Sequence, residues 1–303
     1  DVQTRDASGA WQTVAQTDGA FLAAYAAVDA GAKTVRIRPK DGKGRLFIAE
    51  LRVLGEGDAP GWVQQWQAPL EKADLLALAA HPDDEILFLG GTIPYYAGEM
   101  GKAVQVAYLV PTMPYRRLEL LDGLWLCGVR NYPILGHFPD QFQLTLKGMY
   151  AQKGWSRESV YRFVTEVYRA CRPDVVVTQD VNGEYGHGAH RAAADAAQAT
   201  VALAADASYQ KKMAHSEPWQ IKKLYIHLYE QNPVKMDWRK PLAAFDGRTA
   251  FDVACRAFAC HVSQQRTDYH VEDFGPYDNS RFGLAFSAVG EDTRKDDFFE
   301  HVE

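Results

Sequence analysis

The sequence predicts an α/β fold: a mostly parallel sheet with helices on both faces, preceded by a small antiparallel β segment. From residue 73 onward, short apolar stretches alternate with longer stretches of helical periodicity, which is typical of βαβ units. Before residue 60, short runs alternate apolar and polar residues between Gly and Asp turns. That alternation is typical of half-exposed antiparallel strands.

The β-rich segment comes first. Its runs at 33–39 and 45–54 alternate as strands do, and a stretch rich in glycine follows them. We therefore place a domain boundary near residue 60. Residues 1–60 form the β-rich segment, and residues 61–303 form the main domain.

The main domain is predicted to contain five strands and five helices. We expect the strands at 73–80, 103–110, 131–135, 174–178 and 221–228. We expect the helices at 85–99, 115–128, 155–171, 189–206 and 248–264. The charged tail from 291 to 303 contains Phe298 and Phe299, so we expect it to dock on the domain.

The composition excludes several classes of protein. The 303 residues are 47% apolar and 24% charged, with a net charge of -6 and scattered Lys and Arg, so we expect neither nucleic acid nor anionic lipid as a partner. A membrane span is not expected, because no run of about 18 apolar residues occurs. Four cysteines are too few for a disulfide scaffold. Cys255 and Cys260 lie five residues apart on a predicted helix, so we expect two buried free thiols.

Two polar clusters follow predicted strands. The residues from His81 to Glu85 read His-Pro-Asp-Asp-Glu and follow the strand at 73–80, and residues 182–190 follow the strand at 174–178. Side chains beyond the carboxyl ends of neighbouring parallel strands meet at one edge of a sheet, so the two clusters should face each other. Together they offer His81, Asp83, Asp84, Glu85, Glu184, His187 and His190.

Two imidazoles and one carboxylate from these clusters could bind a divalent ion and leave a position for water. Nitrogen and oxygen donors without a thiolate suit Zn²⁺ in a catalytic site, or Fe²⁺, Co²⁺ or Mn²⁺. The spacing from His81 leaves the carboxylate open between Asp83 and Asp84. The alternative is that both aspartates cap a helix beginning near Glu85. The joint placement of the two clusters favours the metal site.

The two clusters resemble the motifs of a known family, the zinc-dependent N-acetylglucosaminyl de-N-acetylases, also called the PIG-L or LmbE-like family. Its first motif stands complete as Ala-His-Pro-Asp-Asp-Glu at 80–85, and its second stands as Tyr-Gly-His-Gly-Ala-His at 185–190. Arg116 with Glu119, and His-Val-Ser-Gln at 261–264, are further similarities. The resemblance covers residues 73–265 and implies a Rossmann-like, LmbE-like fold.

The resemblance also implies a role for each matched residue. His81, Asp84 and His190 would bind the metal, Asp83 would be the general base, protonated His187 and Tyr185 would stabilise the transition state, and Arg116 would contact sugar hydroxyls. One departure concerns Gly188 and Ala189, because the family usually has Pro-Asp there and the carboxylate that could orient His187 is missing.

The implied reaction is hydrolysis of the N-acetyl group of a GlcNAc-type amino sugar, in a small molecule or a glycan, to give a free amine and acetate. Loops at 111–115, 136–153 and 231–247 would choose the rest of the substrate. His261 is expected to be structural. Four further histidines form no cluster in the sequence and are left unassigned: His137, His215, His227 and His270.

Two alternatives come from other classes of protein. A mononuclear Fe(II) oxygenase would use His81, Asp83 and a distal histidine, although such enzymes usually build this triad on an antiparallel barrel. The second alternative is a carbohydrate-binding protein that catalyses no reaction. Seven tryptophans suggest it, as does a weak likeness of residues 35–37 and 49–55 to a discoidin-like sugar-binding sandwich. This likeness, with a chain that begins at Asp1 rather than at methionine, favours secretion or surface display over the cytoplasm.

Overall fold

The computed structural model describes residues 1–17, 21–111, 113–209, 214–266 and 268–302. The chain divides into two compact units, Asp1–Trp66 and Gln67–Glu303. Both polar clusters lie in the second unit.

The first unit contains a three-stranded antiparallel sheet. Its strands are β1 (Val2–Arg5), β2 (Trp11–Ala15) and β3 (Val35–Ile37), in the order β2-β1-β3. The predicted strand at 33–39 is therefore present as β3. The prediction of a strand at 45–54 is wrong: the segment is irregular, and its Phe47 and Val53 side chains are largely exposed. Alternation gives a strand only where a neighbouring strand is available to pair with it, and within the described residues none pairs here.

The second unit is built around a seven-stranded sheet. Its strands are β4 (Leu75–Ala79), β5 (Val104–Tyr108), β6 (Ile134–Leu135), β7 (Val175–Thr178), β8 (Lys223–His227), β9 (Pro233–Lys235) and β10 (Arg281–Ser287). The order is β6-β5-β4-β7-β8-β10-β9. The five predicted strands are the parallel ones, and β10 and β9 extend the sheet in antiparallel pairing.

Helices cover both faces of this sheet. They are α1 (Asp84–Leu87), α2 (Pro114–Leu126), α3 (Leu146–Tyr150), α4 (Arg157–Cys171), α5 (Gly188–Ala205) and α6 (Ala250–Ala259). Helix α4 packs on α5, which crosses β4, β7 and β8, while α1 and α2 pack on α6. Every residue of β4, β5, β7 and β8 is buried, so these strands lack the alternation of apolar and polar residues that marks a half-exposed strand. The predicted α/β fold with a mostly parallel sheet is confirmed.

Two predicted helices are interrupted. The stretch at 85–99 forms α1 and a separate π-helical turn at Pro94–Glu99, joined through Gly90, whose φ is 52°. The backbone of the next residue, Gly91, packs closely against the ring of Trp238: a Cβ on Gly91 would lie only 2.6 Å from that ring. The stretch at 248–264 likewise ends as α6 and continues as a 3₁₀ turn at Val262–Gln264.

The C-terminal tail docks as predicted, since Phe298 is fully buried and its ring stacks on Tyr96. All four cysteines are free thiols, but the expectation that Cys255 and Cys260 are buried is wrong: Cys255 is exposed and Cys260 is half-buried. In the part of the chain that the structure describes, we find no helix with the length and apolar character needed to cross a bilayer.

Candidate active site

The two polar clusters meet where the strand order of the sheet reverses. β4 is the neighbour of both β5 and β7, so the connections after β4 and after β7 leave the sheet in opposite directions and open a crevice between them. The N–H of Ala80 donates to the side chain of Gln179 at 2.7 Å, which ties the end of one strand to the end of the other. This arrangement brings the loop after β4 against the loop after β7.

Three imidazoles converge in this crevice. Ring nitrogens of His81, His187 and His190 lie within 4.8 Å of one another, and all three residues are buried. Among the described residues, no other group of histidine, cysteine and acidic side chains meets the same spacing. The structure thus brings together three histidines from two separated motifs.

The carboxylate of Asp84 lies between two of these rings. Its Oδ2 is 3.1 Å from Nδ1 of His81 and 3.3 Å from Nε2 of His190, and it accepts the backbone N–H of His81 at 2.7 Å. Burial opposes ionisation, but the neighbouring rings of His190 and His81 hold the pKa of Asp84 below its ordinary value. His81, Asp84 and His190, the three expected ligands, are therefore adjacent.

Asp83 points to a different partner. It precedes α1, but its side chain makes no capping hydrogen bond, so the alternative of a helix cap does not apply. Its Oδ2 is 3.0 Å from the guanidinium of Arg116. Burial and the nearby Asp84 charge raise the pKa of Asp83 to about 7, while Arg116 works in the opposite direction. A carboxylate with such a pKa is suited to accept and return a proton at neutral pH.

A neutral His187 fits this environment better than the protonated ring expected from the sequence. Burial and the neighbouring His81 and His190 rings lower the pKa of His187 to about 3. Its Nδ1 accepts the backbone N–H of Ala189 at 3.2 Å as the cap of α5, which leaves the proton on Nε2. The backbone of Ala189 thus orients this ring where the family usually has an aspartate.

Tyr185 lies beside the imidazoles on a strained backbone with a φ of 44°. Its hydroxyl is 3.4 Å from Nε2 of His190, and its ring stacks on Tyr269 with centroids 4.6 Å apart. Burial and the Asp84 and Asp83 charges raise the pKa of the Tyr185 hydroxyl well above its usual value. The hydroxyl therefore keeps its proton and remains a hydrogen-bond donor.

Arg116 contacts the loop after β4. Its guanidinium donates to the carbonyl of Pro82 at 2.8 Å as well as to Asp83, and it lies 3.8 Å from the exposed carboxylate of Asp140. Asp140 in turn lies 3.8 Å from Nε2 of His81. Asp140 was not predicted as a site residue, because nothing in its local sequence distinguishes it from an ordinary loop acid.

Two further acidic residues of the clusters are fully buried. Glu85 accepts the N–H of Asp83 at 2.9 Å, and burial raises the pKa of its carboxyl to about 8. Glu184 accepts Nδ1–H of His190 at 2.8 Å and contacts His227 at 2.7 Å. The sequence analysis left His227 unassigned, although its position at the end of a predicted strand beside 174–178 was the signal that could have found it.

The donor atoms of the site fit a divalent ion. Nε2 of His81 is buried and has no hydrogen-bond partner among the described residues, and Asp84 Oδ2 faces a nitrogen on each of two rings. Buried nitrogen and oxygen donors without a thiolate suit Zn²⁺, Fe²⁺, Co²⁺ or Mn²⁺. His81, Asp84 and His190 are the residues that could hold such an ion, with His187 close beside them.

The part of the sequence that carries this site is similar to known proteins. A model of the family PIG-L, described as GlcNAc-PI de-N-acetylase, matches residues 76–201, wholly within the second unit. A 1D-myo-inositol 2-acetamido-2-deoxy-alpha-D-glucopyranoside deacetylase from Rhodococcus erythropolis is 28% identical, over 74% of this chain and 96% of the relative. The enzyme of the same name numbered 2 in Saccharopolyspora erythraea is 33% identical, over 48% of this chain and 62% of the relative.

Among solved structures, the N,N'-diacetylchitobiose deacetylase from Pyrococcus horikoshii aligns with 67% of this chain and 75% of its own, at 20% identity and a TM-score of 0.48. The family match includes both polar motifs, and it runs from the second residue of β4 to Val201 within α5. Over these residues the chain is similar to the PIG-L family.

Proposed function

We propose that this protein is a metal-dependent hydrolase that removes the N-acetyl group from a GlcNAc-type amino sugar, giving a free amine and acetate. One observation carries the proposal: His81, Asp84 and His190 converge in one buried crevice. Asp83 lies next to them and is hydrogen-bonded to Arg116. The names of the relatives, which are deacetylases of an acetamido sugar, support this reaction class.

His81, Asp84 and His190 would hold the metal, and Zn²⁺ suits their donor set best. A divalent ion held there supplies Lewis acidity towards the acetamide carbonyl and makes water more acidic. The remaining chemistry belongs to the side chains around it.

Asp83 is the proposed general base. With a pKa of about 7 it can take a proton from the attacking water as the new C–O bond forms. It then donates this proton to the departing nitrogen as the C–N bond breaks. Arg116 holds the carboxylate in place at 3.0 Å and, when substrate is bound, has guanidinium nitrogens available for sugar hydroxyls.

His187 and Tyr185 are the proposed oxyanion donors. The neutral His187 ring carries its proton on Nε2, and the Tyr185 hydroxyl is protonated, so both can donate to the oxygen that becomes negative in the transition state. A donor of this kind typically contributes about 2.7 to 4 kcal/mol to transition-state stabilisation.

Three statements remain predictions. The first is the division of the chain into a β-rich segment at 1–60 and a deacetylase domain at 61–303. The others are that the first segment binds sugar and that the protein is secreted. Neither alternative function has specific support. The sheet around the site is mostly parallel and open, whereas the oxygenase triad usually lies on an antiparallel barrel.

The proposal is tested by elemental analysis of the purified protein together with an acetate-release screen over acetylated amino sugars, with Asp83→Ala as the control. We expect about one divalent ion per chain, and acetate release by the wild type only. Saturable sugar binding without acetate release from any acetylated sugar would instead favour the non-catalytic alternative. Oxygen consumption with a 2-oxoacid would favour the oxygenase.

A further inference from the structure

Glu184 is a fully buried carboxylate that faces a histidine with each of its oxygens. Oε2 lies 2.8 Å from Nδ1 of His190, and Oε1 lies 2.7 Å from Nδ1 of His227. Oε1 also accepts the backbone N–H of Asp180 at 3.0 Å. Oε2 also accepts from the side-chain amide of Gln179 at 3.3 Å. A buried carboxylate with these four donors is held in one orientation, because rotating it would leave a buried N–H without an acceptor.

The contact with Glu184 determines which nitrogen of His190 carries the proton. An ionised carboxylate only accepts hydrogen bonds, so Nδ1 of His190 must be the protonated nitrogen. Nε2 of His190 then has a free lone pair, and it faces Asp84 Oδ2 at 3.3 Å and the Tyr185 hydroxyl at 3.4 Å. This tautomer presents the ring's basic nitrogen to the crevice.

His227 keeps Glu184 in this state. It ends β8, is fully buried, and has its second ring nitrogen, Nε2, 3.2 Å from the backbone carbonyl of Asp278. His227 is therefore held between the Glu184 carboxylate and the Asp278 carbonyl, one oxygen at each ring nitrogen. Burial alone would raise the pKa of Glu184, but the hydrogen bonds from His190 and His227 hold it well below its ordinary value.

We propose that Glu184 and His227 are positioning residues that fix the tautomer and the orientation of His190 for metal binding. This inference rests on the proposed metal-dependent function, but it concerns residues that the family motifs do not include. Carboxylate partners of ligating histidines typically change metal affinity by 10- to 100-fold when they are removed. We therefore expect Glu184→Gln to raise the Kd for Zn²⁺ by that factor.

The substitution Glu184→Gln is informative because an amide has one acceptor and one donor end. Whichever way it turns, it can accept from His190 or from His227 but not from both. His227→Gln should weaken Zn²⁺ binding in the same direction by about tenfold. If the two residues act through one path, the double variant should bind Zn²⁺ no more weakly than Glu184→Gln alone.

Asp180→Asn is the matched control. It removes a carboxylate from the same loop, but that carboxylate accepts the backbone N–H of Asn182, a bond that an asparagine oxygen can replace. Zn²⁺ affinity is measured on each metal-free variant by competition with a chelating dye, after thermal unfolding has shown that the variant is folded. Wild-type affinity in Glu184→Gln, or an equal loss in Asp180→Asn, would overturn the proposal.

A second measurement keeps the test independent of folding and of catalysis. In the metal-free wild type, ¹⁵N chemical shifts of the His190 ring should report a proton on Nδ1, and a proton on Nε2 would overturn the proposal even if Glu184→Gln cannot be purified. The outcome is separable from that of the proposed function. A wild type that binds Zn²⁺ but releases no acetate contradicts the deacetylase alone, whereas an Nε2–H tautomer contradicts only the positioning pair.

Discussion

Asp83 has a backbone φ of 121°, a conformation that residues with a side chain rarely adopt. Such strain costs about 1 to 3 kcal/mol and persists where the surroundings hold the residue in place. Here the N–H of Asp83 donates to Glu85 and its carboxylate pairs with Arg116. The strained backbone turns Asp83 towards Arg116, while Asp84, the next residue, faces the imidazoles.

This division predicts opposite phenotypes for the two neighbouring aspartates. Asp83→Asn should lower kcat by about 10² to 10⁴-fold, because an amide cannot accept the proton, and should retain the metal. Asp84→Asn should lose most of the metal, because it removes the charged oxygen that lies between His81 and His190. Metal content after dialysis and single-substrate kinetics measure the two effects. Loss of metal in Asp83→Asn with normal content in Asp84→Asn would reverse the assignment.

His261 predicts a pH dependence of stability. Burial, followed by the Arg116 charge, lowers the pKa of His261 to about 3, against 6.5 in the unfolded chain. Between these values the unfolded state binds more protons, so the contribution of the neutral ring is fully present above pH 6.5 and is lost as the pH falls towards 3. The limiting slope is about 1.4 kcal/mol per pH unit.

Urea unfolding of metal-free protein between pH 7.5 and 5 measures this effect. Relative to His261→Gln, which cannot titrate, the wild type should lose about 1 to 2 kcal/mol of unfolding free energy between pH 6.5 and 5. His270→Gln removes an exposed histidine and should leave the slope of the wild type unchanged. Parallel curves for the wild type and His261→Gln would contradict the prediction.

At this scale, local sequence identified the residues that act within their own motif. The convergence of His81 and His190 could be predicted because two short motifs follow two neighbouring strands, whereas the choice of Asp84 over Asp83 came from the family resemblance alone. The Glu184–His227 contact was missed, since His227 is 43 positions further along the chain and the pairing of β8 with β7 brings it there. The neutral state of His187 depends on burial and on neighbouring rings, which sequence spacing does not report.

The first turn of α5 connects to the loop that carries Asp140. The N–H of Gly188 donates to the carbonyl of Gln143 at 2.5 Å, and a Cβ at position 188 would lie 2.9 Å from that same oxygen. Phe142, next to Gln143, places its ring 5.1 Å from that of His187. A glycine, where the family usually has a proline, thus allows the loop to bond directly to the helix that carries His190.

We therefore expect Gly188→Pro to displace this loop, although proline suits the first position of a helix. The substitution removes the hydrogen bond and adds atoms where Gln143 already lies, at a cost of about 1 to 3 kcal/mol in unfolding free energy. KM should rise more than kcat falls, because the loop borders the crevice. Thermal unfolding and steady-state kinetics measure both. Gly188→Ala keeps the N–H and should be intermediate, and wild-type values for Gly188→Pro would contradict the role of this contact.

Element prediction succeeded where burial on both faces produces a distinct pattern. The largely apolar runs of β4, β5 and β7 are buried on both sides and were found within a few residues. β10 was missed, because its Arg281–Ser287 sequence contains a glycine and polar ends and follows a stretch rich in turn residues. The helix predicted at 85–99 was interrupted because Gly90 and Gly91 allow close packing that helical periodicity does not encode.

At the scale of the whole second unit, the C-terminal segment closes the antiparallel side of the sheet. Lys223 at the start of β8 is fully buried and pairs with Asp292, which also accepts the Tyr225 hydroxyl at 2.5 Å. The tail thereby supplies the countercharge for a buried ammonium group in the sheet. The Phe pair in the sequence predicted that the tail docks, but this partner could not be predicted, because the two charges lie 69 residues apart.

Phe298 is the apolar anchor of this closure, and its removal should destabilise the whole unit. Its ring is fully buried against Tyr96, Tyr225 and Phe282, and its N–H donates to the Tyr96 hydroxyl at 2.8 Å. Phe298→Ala should cost about 3 to 5 kcal/mol of unfolding free energy, because truncation leaves a cavity among rings from distant elements. Phe299→Ala, which truncates the half-buried neighbouring ring, should cost about 1 kcal/mol. Urea unfolding followed by tryptophan fluorescence compares the two variants, and similar losses would mean that the tail covers the sheet without anchoring it.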